Sequence, residues 1–232
     1  MLRKISLFRG LERFKTSRGY GVHSPFAFNL ITNVIYSPYS YYALQDVNNF
    51  VSQRKNFNLV NHARYNEIAL RLVSYFRPKH VLVANPQHGL DSLYVSSANS
   101  AFEQLVLLGE SISMQADIVR IYKSYYSGRN NYTPTYEDIA SKLLITDSTS
   151  CIKSYKYDAV FVCGKGLNVR ADELLDISKD KTIIMINNIN SGCNKQLWKN
   201  IVDSSNIGFV FDMKHFGVAF VMPTYYKSYY YI

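Results

Sequence analysis

Five short apolar runs that do not alternate with polar residues mark the middle of the chain. They are His80–Ala84, Leu105–Gly109, Leu143–Thr146, Ala159–Cys163 and Thr182–Ile186. A strand that is apolar on both sides must be covered on both sides, which is the situation of a parallel sheet clad in helices. Helix-compatible stretches near 91–100, 112–126, 135–142, 169–178 and 193–203 lie between and after these runs and supply the cover. The end of the chain breaks the rhythm. In IGFVFDMKHFGVAFVM, two apolar runs meet across a short turn, and a short turn joins only antiparallel neighbours. The pattern predicts a seven-stranded α/β sheet, mostly parallel, closed by a C-terminal antiparallel hairpin.

A helical module precedes this sheet. Leu2, Ile5, Phe8 and Leu11 recur at roughly helical spacing with basic residues between them, interrupted by Gly10. In RGYGVHSPFAFNLITNVI, Ser24 is an N-cap and Pro25 suits the first helical position, so Phe26 to Ile35 continue as helix. YSPYSYY stops it, and residues 43–57 read as a second helix. In NEIALRLVSYF, Ala69, Leu72, Val73 and Phe76 form one apolar stripe, and Pro78 ends it. Residues 1–62 are therefore expected to form an N-terminal module, and residues 63–232 the α/β domain.

Charge is unevenly spread. The chain carries a formal +9. Its first twenty residues hold Arg3, Lys4, Arg9, Arg13, Lys15 and Arg18 against Glu12 alone. Such a segment suits nucleic acid, anionic lipid or simply a solvated helix face. Cys151, Cys163 and Cys193 are an odd number without CxxC spacing, which excludes a disulfide framework and a zinc site and predicts buried thiols. No run of eighteen apolar residues occurs, and MLRKISLFRGLERFK lacks the apolar core of a signal peptide, so a cytoplasmic protein is expected. Tyrosines crowd the end, YYKSYYYI, as either a sticky surface or a packed edge strand.

With the sheet-plus-hairpin pattern in place, the chain resembles class I S-adenosylmethionine-dependent methyltransferases, whose Rossmann-like seven-stranded sheet ends in such a hairpin. GYGVHSPFAFNLI resembles the opening of a bacterial subgroup of them, particularly from Bacteroidetes. The resemblance runs from about Arg18 to Ile232. It implies S-adenosylmethionine as cofactor and a set of binding positions. The family's first strand ends in an acidic residue followed by a Gly-x-x-x-Gly turn. Here VLVANPQHGLDS gives Val83, Ala84 and Asn85, then Gly89. Asparagine tolerates positive φ, so Asn85 can keep the turn. Gly89 lets a helix start close to the ligand, with Asp91 or Ser92 as its cap. Glu110, after the second strand, matches the carboxylate that accepts from both ribose hydroxyls. Asp147 falls where relatives contact the adenine amino group. Cys163 replaces the aspartate of a V-F-I-D-G segment, and Asn187 and Asn188 replace an Asp-Asp or Asp-Asn pair. Magnesium needs anionic oxygen ligands, so no metal is expected.

The resemblance thus implies a metal-independent methyltransferase acting on a small molecule. The alternative is a catalytically inactive descendant serving as a binding or scaffold protein, on the strength of Val83, Asn85, Cys163, Asn187 and Asn188. A weaker third possibility is an RNA methyltransferase, although no appended RNA-binding module is visible. No catalytic base stands out. His88 lies in the cofactor turn, His215 in the terminal hairpin, and His23 beside a helix cap, where local hydrogen bonding is expected of it. Trp198 is expected to share a core with Phe209 and Phe211. The N-terminal module, with its tyrosines around Tyr36–Tyr42, lies in position to fold over the strand ends as a lid or wall.

Overall fold

Alternation along each strand divides the sheet residues between two cores, and that division organises the molecule. The computed structural model describes residues 10–53, 63–86, 89–98, 101–109, 112–127, 135–164 and 169–232, without the side chains of 112–115. The strands are β1 (His80–Ala84), β2 (Gln104–Leu108), β3 (Leu143–Thr146) and β4 (Tyr157–Val162). They continue with β5 (Ser178–Asn187), β6 (Ile207–Asp212), β7 (Phe216–Val221) and β8 (Ser228–Tyr231). They lie side by side in the order β3-β2-β1-β4-β5-β7-β6-β8, and only β7 runs against the rest.

The fold is therefore the expected Rossmann-like α/β sheet with its antiparallel hairpin, corrected in one respect: it has eight strands, not seven. The added strand is the tyrosine-rich end. β8 pairs in parallel with β6 from Phe209↔Ser228 to Asp212↔Tyr231, and Tyr230 stacks on Phe211 with ring centroids 5.3 Å apart. Tyrosine suits a half-exposed edge because one end of the ring packs while the hydroxyl stays wet.

One face of the sheet presents Val81, Val83, Leu105, Leu107, Phe161, Met185, Phe209 and Phe220; the other presents Leu82, Ala84, Val106, Val160, Ile184, Val210 and Ala219. The first face is covered by the helices between Pro25 and Phe76 together with α5 (Leu90–Ala98) and α6 (Ile112–Ser127). The second is covered by α8 (Thr149–Ile152), α9 (Ala171–Asp176) and α10 (Gly192–Asp203). Short α7 (Tyr136–Ala140), closed by a Thr135–Asp138 capping box, precedes β3. This division corrects the expectation for Trp198. Its ring packs in the second core, whereas Phe209 and Phe211 belong to the first.

The N-terminal helices are α1 (described over 10–16), α2 (Pro25–Asn29), α3 (Tyr42–Ser52) and α4 (Ala63–Phe76). Ser24 caps α2 as its position predicts, its Oγ accepting from the Ala27 amide at 3.3 Å. The helix then widens into a π-helical segment, Leu30–Ile35, where the expectation was plain α-helix. The segment places Leu30, Ile31, Val34 and Ile35 in the first core. Arg71 of α4 donates to the Val34 and Ser37 carbonyls at 3.2 and 2.8 Å and pairs with Glu67 at 2.9 Å. A buried guanidinium thus binds the N-terminal segment to the helix that enters the sheet. α3 ends at Ser52, and the remainder of the expected 43–57 helix reaches beyond the described residues.

Three strands also start or end differently from expectation. β2 begins and ends one residue earlier, and β4 begins at Tyr157. β5 begins at Ser178 because a bulge at its start, with Lys181 at φ 67°, lets pairing resume upstream of Thr182. The Thr182 hydroxyl secures that bulge by donating to the Tyr157 carbonyl at 2.6 Å.

Candidate functional site

In an open α/β sheet, ligands bind beyond the carboxyl ends of the strands, where the strand order reverses. Here the reversal lies at β1, which has β2 on one side and β4 on the other. Asn85 leaves β1 at φ 49° and donates its amide to the Leu108 carbonyl of β2 at 2.8 Å. Asparagine at positive φ is among the least costly departures from glycine. Gly89 ends the turn at φ 77°, and a Cβ there would lie 2.8 Å from Ile118 Cγ1 and 3.2 Å from Ile118 Cα. That position excludes side chains by both backbone conformation and space.

The helix that follows is polar inside. Ser92 Oγ donates to the Gly89 carbonyl at 2.7 Å, so it is not the expected amide-accepting cap, and it receives the Tyr122 hydroxyl at 2.9 Å. Tyr126 donates to Ser96 Oγ at 2.8 Å one turn on. Asp91, buried in the first turn, accepts from Asn66 Nδ2 at 2.8 Å. Asn66 is only 7% exposed, and among the described residues its Oδ1 has no hydrogen-bond partner. An orphaned buried carbonyl oxygen is costly and marks a place where a donor from outside the chain would be stabilised.

Cys163 follows β4 and donates its amide to the Ala84 carbonyl at 2.9 Å. Its thiol is buried 3.7 Å from the Tyr65 hydroxyl. Burial, reinforced by the nearby Asp91 carboxylate, pushes the Cys163 thiol up, so it stays protonated at neutral pH. Burial likewise raises Tyr65, with the Cys163 sulfur adding to it. The other two cysteines are exposed, which corrects the expectation that all three are buried. Gly164 comes so close to β1 that a Cβ would stand 2.8 Å from the Asn85 carbonyl oxygen.

Past β5 the asparagines are occupied by their own chain. Asn187 Nδ2 donates to the Cys163 carbonyl at 3.1 Å, and its Oδ1 accepts from the Asn188 amide at 2.9 Å. Asn194 Nδ2 reaches the Gly164 and Asn187 carbonyls at 3.0 and 2.8 Å. Among the described residues no three His, Cys, Asp or Glu side chains gather in a metal-ligating group.

The structure thus brings Asn85 and Cys163 together at adjacent strand ends. Asp147 stands exposed beyond β3, two strands from β1 and hence about 10 Å across the sheet. Glu110 and His88 lie outside the described residues. His23 is exposed and has no side-chain hydrogen bond to described residues. His215 serves the hairpin through its backbone, its carbonyl accepting from the Ile189 amide at 3.1 Å. Sequence reasoning missed Tyr65 and Asn66. Their only signal was two polar residues at the start of an apolar stripe, which does not reveal partners 98 and 25 residues away.

No protein-family model and no curated protein matches the chain in sequence. Solved structures match in fold. An SAH-bound methyltransferase from Podospora anserina has a TM-score of 0.53 at 14% identity, over 79% of this chain and 88% of its own. An O-methyltransferase from Bacillus cereus in complex with SAH has a TM-score of 0.51 at 13% identity, over 79% and 92%. A methyltransferase from Geobacter sulfurreducens reaches 0.57 at 12% identity, over 80% and 90%.

Proposed function

We propose that this chain binds S-adenosylmethionine at the carboxyl edge around β1, β2 and β4, and methylates a small molecule without a metal. The observation that carries the proposal is the reversal of strand order at β1, with Asn85 and Gly89 both left-handed after it and, on the Asn66 that binds Asp91, a buried Oδ1 without a partner among the described residues. The likeness in fold to proteins crystallised with SAH supports it, as does the likeness of GYGVHSPFAFNLI to the opening of a Bacteroidetes-type subgroup.

The residues present fit the cofactor. Asn85 and Gly89 would let its amino-acid end lie against the backbone, while Asn66 Oδ1 and the Asp91 carboxylate offer acceptors to an ammonium group. Glu110 would take the ribose diol, Asp147 the adenine amino group, and Cys163 would border the site as a neutral wall. When bound, the cofactor supplies a methyl group made electrophilic by its sulfonium. The chain's contribution is then to hold the acceptor in line and keep water out, which can supply much of the acceleration. A protonated thiol and amides already spent on backbone groups are poor partners for a hard cation, hence the metal-free assignment. α3 packs on α5, directly behind the turn, and Tyr94 of α5 donates to Asn48 of α3 at 2.7 Å. Residues 1–62 would thus act as a unit that walls the site. No described helix is long and apolar enough to cross a membrane, which fits the cytoplasmic setting proposed here.

One observation favours the alternative of a catalytically inactive binding or scaffold protein whose cofactor site has decayed. At the β4 and β5 ends, where an acceptor would be activated, Tyr65 closes on Cys163 and Asn187 and Asn194 stitch the rim together. Calorimetric titration with S-adenosylhomocysteine separates the two. The proposal expects saturable one-site binding, weakened about tenfold by Glu110→Ala through loss of charge-assisted hydrogen bonds. A folded sample that gives no binding heat across temperatures favours the scaffold.

A further inference from the structure

Over its described residues α1 turns Arg13 and Thr16 to the protein: Arg13 pairs with Asp212 at 2.6 Å, its guanidinium lies 5.5 Å over the Tyr231 ring, and Thr16 is only 8% exposed, while Glu12 and Lys15 stay in solvent. Its apolar residues face solvent, Leu11 at 62% and Phe14 at 57% exposed. The Arg18 guanidinium covers the Phe14 ring at 4.4 Å. Beyond the helix, the Phe28 ring lies against Gly19, where a Cβ would be 2.4 Å from it, and is 46% exposed. Leu11, Phe14, Arg18 and Phe28 thus form an exposed apolar and basic face, with Lys15 and Tyr20 also exposed beside it in the chain. An ordinary solvated helix would turn Leu11 and Phe14 inward and leave the arginine and threonine outside.

We propose that this face docks on an anionic lipid surface. Interfacial helices combine Leu and Phe, which enter the acyl boundary, with Lys and Arg, which meet the headgroups. The described residues of this face supply both, Leu11, Phe14 and Phe28 with Lys15 and Arg18, whereas Arg13, one of the six basic residues among the first twenty, is turned inward onto Asp212. Leu2, Ile5 and Phe8, interleaved with Arg3, Lys4 and Arg9, extend the same composition upstream. Lipid is favoured over nucleic acid because Leu11 has no ring face on which a base could stack, and phosphate contacts gain nothing from exposed aliphatic carbon. The inference is independent of the methyltransferase proposal.

The test is flotation of the full chain with phosphatidylcholine vesicles, with and without phosphatidylglycerol. The chain should float with the anionic vesicles only, and less of it as salt is raised. Leu11→Ser with Phe14→Ser leaves the charge unchanged and should cut the bound fraction about tenfold. Lys15→Gln with Arg18→Gln should also reduce it. Both pairs are exposed, and unaltered thermal melts establish that the fold is intact. Failure to float with anionic vesicles overturns the proposal. So does flotation indifferent to Leu11→Ser and Phe14→Ser, or tighter binding to a single-stranded oligonucleotide that those substitutions leave unchanged.

Discussion

Gly217 has no room for a side chain. A Cβ on it would lie 2.3 Å from Cζ2 of the buried Trp198 ring, and the large indole cannot yield as a flexible chain end would. Gly217→Ala should cost about 1–3 kcal/mol of unfolding free energy by overpacking, read from the denaturant midpoint. Trp198→Leu should make the alanine less costly, so the double variant will be more stable than the sum of the single effects. Asp158 acts through charge. Burial raises its carboxyl, but the Lys179 ammonium and the His80 and Lys79 amides outweigh that and hold it below its ordinary value. Its stabilisation is therefore complete above the unfolded-state pKa and is lost as pH falls through the lowered native one. Asp158→Asn should destabilise by about 1–3 kcal/mol at neutral pH. Urea midpoints should converge with those of the parent chain in acid. Cys163 gives a third expectation. Alkylation of the native chain should modify exposed Cys151 and Cys193 and reach Cys163 only on unfolding, by peptide mass spectrometry. Asn85 and Cys163 stand out in the sequence by departing from an expected turn and strand end, and Gly89 by keeping the turn's second glycine. Asn66 and Tyr65 do not, because their significance lies in contacts that only folding creates.

At the scale of elements, the apolar runs and the final hairpin are legible because burial on both faces leaves an unbroken pattern, whereas YYKSYYYI around β8 suits a sticky surface as well as an edge strand. Its sequence is neither continuously apolar nor cleanly alternating, and an edge strand needs only one buried face. The bulge that opens β5 is not legible for a similar reason: Lys179, Asp180 and Lys181 carry no apolar signal, yet hydrogen bonds at Thr182 join them to the strand. Arg71 is the joint most open to test. It satisfies two carbonyls of the segment after α2 while pairing with Glu67. Arg71→Met should cost about 3 kcal/mol, because it leaves buried carbonyls unpaired and Glu67 without its partner. Arg71→Lys should recover only part, since an ammonium cannot reproduce the planar fork. Thermal melts of the two variants check the order.

For the whole molecule, the fold sets where chemistry can occur. One antiparallel strand, β7, lies between β5 and β6, and the order reverses at β1. After β1 stand left-handed Asn85 and Gly89, the buried Asp91 carboxylate and an Asn66 amide oxygen without a partner among the described residues, while the β4 and β5 ends are stitched together by their own asparagines. Amide hydrogen exchange of the full chain with and without S-adenosylhomocysteine tests most directly whether that edge takes the ligand. Slowed exchange confined to peptides spanning residues 84–92, 108–111 and 146–148, with α10 unchanged, is the expected result. Exchange unaltered by saturating ligand, or protection that falls between α9 and α10 instead, would contradict it.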